Sequence, residues 1–139
     1  MGRQRDSGDD VSRKFAPLFS SASPHHATPP SVYEQLDREF HFDFDPCPLH
    51  GDAVGDGLTA SWVGRRVFCN PPYGPGIKDW LAKAREAVLA VFLLPARTDT
   101  RWWHEFALKA DEIRFVRGRL KFGDAKNGAP FPSVILVYR

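Results

Sequence analysis

Much of what this chain of 139 residues lacks narrows what it can be. No run of about eighteen apolar residues exists, so no helix of it spans a bilayer. Its polar, charged start has no apolar h-region, so no secretory signal is visible. Only two cysteines occur, Cys47 and Cys69, without a CxxC pair or a Cys/His ladder. That disfavours structural zinc and fits a reducing cytosol. His25 and His26 are adjacent, and such neighbours do not readily face one metal, so no metal is expected. No GxGxxG follows the first predicted strand, which disfavours a diphosphate-clamping dinucleotide site, and no GKS or GKT phosphate loop is present. No GxSxG exists and the serines crowd into the N-terminal stretch, so a Ser/His/Asp hydrolase is unsupported. Internal repeats and low-complexity tracts are also missing. A net charge of +2 is too small to prove a nucleic-acid partner, so the distribution of charge matters more than its sum.

The length suits one domain. Residues 1–27 mix Arg, Asp, Ser, His and Pro with few apolar positions and read as a flexible tail, with Phe15, Leu18 and Phe19 able to dock. Residues 28–139 form the predicted domain. Thr28-Pro29-Pro30-Ser31 reads as a helix start, with Val32, Tyr33, Leu36 and Phe40 at helical spacing. Phe40, Phe42 and Phe44 alternate with His41 and Asp43 until Pro46, which predicts a first strand ending on Asp45. Residues 46–61 read as loop. Strands are predicted at 66–70, at 87–94 (apolar throughout), at 112–116 and at 133–138. Helices are predicted near 77–87 and 100–110, and a Gly- and Pro-rich loop at 117–132. This order predicts an α/β fold: an abbreviated Rossmann-like sheet, mostly parallel, with an antiparallel C-terminal hairpin.

The most informative stretch is Phe68-Cys69-Asn70-Pro71-Pro72-Tyr73-Gly74. Proline has no N–H and a fixed φ, so a strand must stop at Asn70, and the residue before a proline is kept extended. Asn70 is thus delivered to the C-terminal edge of a sheet, where ligands of open α/β sheets bind. Its amide can accept from an amine, and the Tyr73 ring can stack on a planar base. Asp45 and Pro95-Ala96-Arg97 are predicted to reach the same edge. A carboxylate at the first strand's end grips nucleoside cofactors in doubly wound folds, although Asp45 before Pro46 also suits a plain turn. Asp56, in Gly55-Asp56-Gly57-Leu58, fits a turn equally well, or would accept from an adenine amine. With diphosphate sites disfavoured, a nucleoside cofactor without a diphosphate remains, and S-adenosylmethionine meets that description.

Taken together, these motifs resemble the S-adenosylmethionine-dependent Asn-Pro-Pro-Tyr amino-methyltransferases, and more closely the phage-type DNA N6-adenine methyltransferases. The shared pattern includes Thr28-Pro29, Phe42-Asp43-Phe44-Asp45-Pro46-Cys47, Asp56-Gly57-Leu58, Trp62 and Asn70-Pro71-Pro72-Tyr73-Gly74. It continues through Leu94-Pro95-Ala96-Arg97-Thr98-Asp99-Thr100, Trp103-His104, Gly118-Arg119-Leu120-Lys121-Phe122 and Ala129-Pro130-Phe131-Pro132-Ser133. It covers roughly residues 27–139. The resemblance implies catalysis by Asn70, Pro71, Pro72 and Tyr73, and cofactor binding by Thr28, Pro29, Asp45, Pro46, Asp56 and Asn70. The segment between Asp45 and Asp56 is short for such a protein, so its usual ribose-binding acid is missing or replaced by His50 or Asp52.

On this reading, Asn70 and the Pro71 carbonyl accept the two N–H bonds of a flipped adenine in double-stranded DNA, and Tyr73 stacks on the base. Arg97, Arg101, Arg114, Arg117, Arg119 and Lys121 make the C-terminal third basic, interleaved with Trp102, Trp103 and Phe122. Of these, Arg97, Arg101, Trp102, Arg117, Arg119 and Lys121 are the candidate DNA contacts; a solvated charged surface is the plainer alternative. No separate target-recognition domain fits in the length, so sequence choice would come from the 117–132 loop, from homodimerisation, or be weak. Two other readings remain: a methyltransferase acting on RNA or a protein glutamine amide, and a catalytically inactive nucleic-acid-binding module.

Overall fold

The structure is a computed structural model. It describes residues 27–48 and 54–139, with 54–56 described by backbone alone. The predicted tail, with Phe15, Leu18, Phe19, His25 and His26, lies outside the described residues, as do His50 and Asp52.

Helix α1 spans Pro30–Phe40, with proline in its first turn and Leu36 and Phe40 buried. Pro suits this position because its missing N–H would have had no helical partner. The helix ends at His41, which turns left-handed at φ 54° and donates its N–H to the Asp37 carbonyl. That reversal breaks the predicted first strand. Phe40 is helical, the Phe42 N–H is held by Asp37 Oδ1 at 2.9 Å, and only Phe44 makes a parallel bridge, to Val67. The Phe alternation is nonetheless used in packing: Phe42 lies 6.1 Å from Phe40 and 5.4 Å from Phe68.

A short helix, α2, occupies Val54–Thr59, inside the stretch predicted as loop. Two glycines within six residues hide it from helical propensity. Strand β1 follows at Arg66–Cys69. Helix α3, Ile77–Ala82, tightens into a 3-10 turn at Lys83–Glu86, and β2 runs Leu89–Pro95, buried at every position. Helix α4, Arg101–Glu105, begins at Thr100, whose hydroxyl accepts from the Trp103 N–H. It passes into a 3-10 turn at Ala107–Lys109. Strands β3, Glu112–Phe115, and β4, Ser133–Tyr138, complete the sheet.

The sheet has four strands in the order β1-β2-β4-β3. Only β1 and β2 are parallel; β4 runs antiparallel to both neighbours. The predicted antiparallel C-terminal hairpin is present, but the sheet is mixed rather than mostly parallel. The reason is that β4 returns from the long loop into the space between β3 and β2, which makes two of the three pairings antiparallel. Register puts Phe68 and Phe92 on opposite faces, since Cys69 pairs with Phe92. Tyr33 of α1 meets Phe68 edge-on at 5.1 Å on one face. On the other, Trp62 and Tyr138 flank Phe92, and the Tyr138 hydroxyl donates to the Phe106 carbonyl at 2.7 Å. No described helix is long and apolar enough to cross a membrane.

Candidate active site

The register collects the predicted functional segments at one edge. Strands β1 and β2 both end there, at Cys69 and Pro95, so Asn70 and Ala96 are the first residues beyond them. Ser133 pairs with Pro95 and Phe115 with Val134, so the 116–132 loop also hangs from that edge. Phe44 bridges Val67 in the parallel sense, so Asp45 emerges on the same side.

Asn70 is held at both ends of its amide. Its Nδ2 donates to Thr28 Oγ1 at 3.0 Å, and its Oδ1 accepts from the Tyr73 hydroxyl at 2.8 Å. Thr28 was expected to cap α1. Instead Pro29 takes the capping position without a side-chain bond, and its carbonyl accepts from Val32 and Tyr33. The Thr28 hydroxyl is thereby left to orient Asn70. Beside the amide, the buried Pro71 contributes a carbonyl that has no donor among the described residues, and Pro72 is half-buried.

Tyr73 differs from expectation. The ring anticipated as an open stacking platform is 8% exposed and lies edge-on to Phe131 at 5.6 Å and Phe122 at 6.3 Å. Its hydroxyl also reaches the Leu93 carbonyl at 3.2 Å. Burial holds the phenol well above its usual pKa, so it stays protonated and donates. Phe122, one of the aromatics interleaved with the basic residues, is 4% exposed because it forms this wall. Nothing in the local sequence at Tyr73 signals that partners would arrive from a loop some fifty residues later.

Asp45 accepts from the Cys47 N–H at 3.0 Å, its single hydrogen-bond partner among the described residues. The residue keeps surface open to solvent, yet protein crowds its carboxyl, and that desolvation raises its pKa to about 6. A carboxylate so placed has acceptor capacity left for a hydroxyl or ammonium group. Burial pushes Cys47 up to about 12 and Cys69 well up, so neither thiol is a ready nucleophile. Asp56 lies in α2 by backbone, with its side chain outside the described residues. Its neighbour Gly57 shows why this stretch is close: a Cβ there would sit 2.0 Å from the buried Pro46's carbonyl oxygen. The Gly57 carbonyl accepts from Trp62 Nε1 at 3.0 Å, which ties α2 to the core.

The basic residues divide. The Arg97 guanidinium lies 5.8 Å from the Phe131 ring, linking the end of β2 to the Tyr73 wall. Arg101 is open to solvent and pairs with Glu105 at 3.3 Å, while Trp102 is half-buried against the buried Trp103. Arg117, Arg119 and Lys121 are exposed on the loop, with Arg119 Nη1 donating to the Ala129 carbonyl. Arg114 departs from the basic surface. It forms a two-pronged pair with Glu39 at 2.7 and 2.6 Å and a third bond to Glu112, fastening β3 to α1.

Comparison with known proteins agrees with these motifs. Residues 20–138 match the model of the family described as DNA N-6-adenine-methyltransferase (Dam). The chain is also 30% identical over 117 residues to the DNA N-6-adenine-methyltransferase of Haemophilus phage HP1 (strain HP1c1), an alignment spanning 73% of this chain and 68% of the relative. No solved structure matches.

Proposed function

The chain belongs to the DNA N-6-adenine-methyltransferase (Dam) family, and from that premise we propose that it methylates the exocyclic amine of adenine in double-stranded DNA, with S-adenosylmethionine as donor. The observation that carries this reading is the clamped Asn70 amide beside a Pro71 carbonyl that has no donor among the described residues. An amide oxygen has two lone pairs, and Tyr73 uses one of them. Asn70 Oδ1, held in place by Tyr73, and the Pro71 carbonyl would accept the two N–H bonds of adenine's amine. Such holding draws the nitrogen from planar towards tetrahedral and exposes its lone pair. Positioning of this kind can supply about 7–11 kcal/mol of barrier reduction.

When bound, the cofactor would supply an electrophilic sulfonium methyl for direct in-line transfer, and the Asn70 amide oxygen and the Pro71 carbonyl would hold the amine that receives it. Asp45, with one amide donor and a crowded carboxyl, fits a ribose hydroxyl or ammonium group. Thr28, Pro29, Pro46 and Asp56 complete the proposed cofactor pocket with Asn70. The parallel β1–β2 pair and the Phe44–Val67 bridge support an abbreviated Rossmann-like sheet.

Reaching the amine inside a duplex requires the base to be flipped, at a cost of a few kcal/mol. Because the Tyr73 ring is packed against Phe122 and Phe131, its part is to fix Asn70. Pro72 stiffens the turn between them. Arg97, Arg101, Trp102, Arg117, Arg119 and Lys121 form the proposed DNA-contacting surface, on one polypeptide or across a homodimer. The setting is the cytoplasm of a bacterial or phage-infected cell. The test is methyl transfer onto unmethylated plasmid DNA, followed by digestion and mass spectrometry of the nucleosides. N6-methyladenosine in its deoxy form is expected; a methylated cytosine, or transfer to RNA or protein only, would overturn the reading.

A further inference from the structure

The described residues contain four large apolar side chains exposed by half or more, and Phe115, at 73%, is the most exposed and the only aromatic among them. Every other described aromatic is buried or half-buried. Phe115 ends β3, the edge strand of the sheet, and the chain then runs directly into Val116-Arg117-Gly118-Arg119-Leu120-Lys121. Arg117, Arg119 and Lys121 are exposed, and none has an acidic partner among the described residues. Arg114, which could have crowded the ring with another charge, is spent on Glu39 and Glu112. Of the three aromatics expected among the basic residues, Trp103 and Phe122 are 3% and 4% exposed and offer no face to a partner, and Trp102 is half-buried.

We propose that Phe115 is the aromatic anchor of the DNA surface, stacking against bases that flank the target while Arg117, Arg119 and Lys121 neutralise the adjoining phosphates. The proposal rests on the DNA-methylating reading above. An exposed ring beside cations that lack acidic partners among the described residues matches a duplex, whose base steps an aromatic wedge can part and stack upon and whose phosphates are regularly spaced. The sheet sets the distance. Phe115 leaves the same edge as Asn70 but three strands away, an offset of about 14 Å at ordinary strand spacing. For a duplex lying along this edge, that is roughly four base steps. Phe115 therefore contacts flanking sequence rather than the gap left by the flipped base.

The experiment uses the full chain and its Phe115→Ala and Phe115→Trp variants. Binding to a fluorescein-labelled, mixed-sequence, unmethylated duplex is followed by anisotropy across a salt series, with sedimentation velocity on each protein. Phe115→Ala is expected to weaken binding roughly five- to a hundredfold. Its salt slope should be unchanged, because a ring releases no counterion; Lys121→Ala should lower the slope by about one. Phe115→Trp should bind like the unmodified chain. Two further duplexes, each ending two pairs from the adenine on one side and left long on the other, locate the contact: on one of them Phe115→Ala and the unmodified chain should bind alike. Equal affinity of the two for the long duplex overturns the anchor and leaves the methyltransferase reading standing. A dimer that Phe115→Ala dissociates would instead make the ring a contact between copies of this chain. An unmodified chain that neither binds nor methylates duplex DNA overturns both proposals.

Discussion

Asn70, carried to the sheet edge by β1, donates its side-chain N–H to Thr28 Oγ1 at 3.0 Å, so a residue 42 positions earlier decides which way the amide faces. An amide reversed by half a turn would present N–H donors to an amine that is itself a donor. The contact therefore sets the chemical sense of the site as well as its position.

The first prediction follows from that bond. Thr28→Val keeps the side-chain shape and removes the acceptor, at a cost of about 1–1.5 kcal/mol, which corresponds to roughly a tenfold fall in kcat if it is felt in the transition state. Thr28→Ser should stay near the unmodified rate. Steady-state kinetics paired with calorimetric cofactor titration separates the two roles given to this hydroxyl. A loss confined to cofactor affinity would make Thr28 a pocket wall and remove its orienting role.

Tyr73 should behave as a core residue. Tyr73→Phe strips the donor from Asn70 Oδ1 and the Leu93 carbonyl and should cost about 1 kcal/mol of stability, with a measurable loss of kcat. Tyr73→Ala empties the wall formed with Phe122 and Phe131 and should cost about 3–5 kcal/mol, a large share of a domain's total. Urea denaturation checks both. An unaltered midpoint for Tyr73→Ala would mean the ring stands free as a stacking platform.

Gly57 is predicted to be intolerant for a reason that loop flexibility does not supply. An added Cβ would meet the Pro46 carbonyl oxygen at 2.0 Å and the carbonyl carbon and Trp80 ring at 2.9 Å each. Backbone cannot yield as a side-chain tip can, so α2 must shift and strain its bond from Trp62. Overpacking of this kind costs about 1–3 kcal/mol, which lowers Tm by roughly 3–10 °C in a chain of this size. Calorimetry of Gly57→Ala within 1 °C of the unmodified chain would show that the approach is not enforced.

What the sequence discloses and what it withholds divide along physical lines. The Asn70-Pro71-Pro72 turn is legible because proline's covalent geometry acts locally, and β2 is legible because seven consecutive buried positions need no partner to be recognised. The mixed sheet is hidden, since the insertion of β4 between β2 and β3 depends on contacts remote in the chain. Phe40, Phe42 and Phe44 alternate as a strand would, yet the left-handed turn at His41 converts the first of them into a helix end. The same limit governs Tyr73, whose burial is decided by Phe122 and Phe131, and Arg114, whose charge is consumed by Glu39.

Asp45 supplies the pH dependence. Its pKa rises from 3.8 to about 6, chiefly by desolvation, with the Cys47 N–H pulling the other way. In the free protein the folded state thus holds this proton more tightly than the unfolded chain. Asp45's contribution to stability is fully present below 3.8 and is lost as pH rises through about 6. Cofactor binding has the opposite sign, because accepting from a hydroxyl or ammonium group needs the carboxylate. Affinity should fall as pH drops through about 6 and level off above it. Asp45→Asn should bind more weakly at neutral pH and lose the inflection. Isothermal titration of cofactor between about pH 5 and 7 reads both effects, with the unmodified chain and the variant compared in one buffer series. If the inflection persists in Asp45→Asn, another group controls it, and the carboxylate at the end of the Phe44 bridge is a turn residue only.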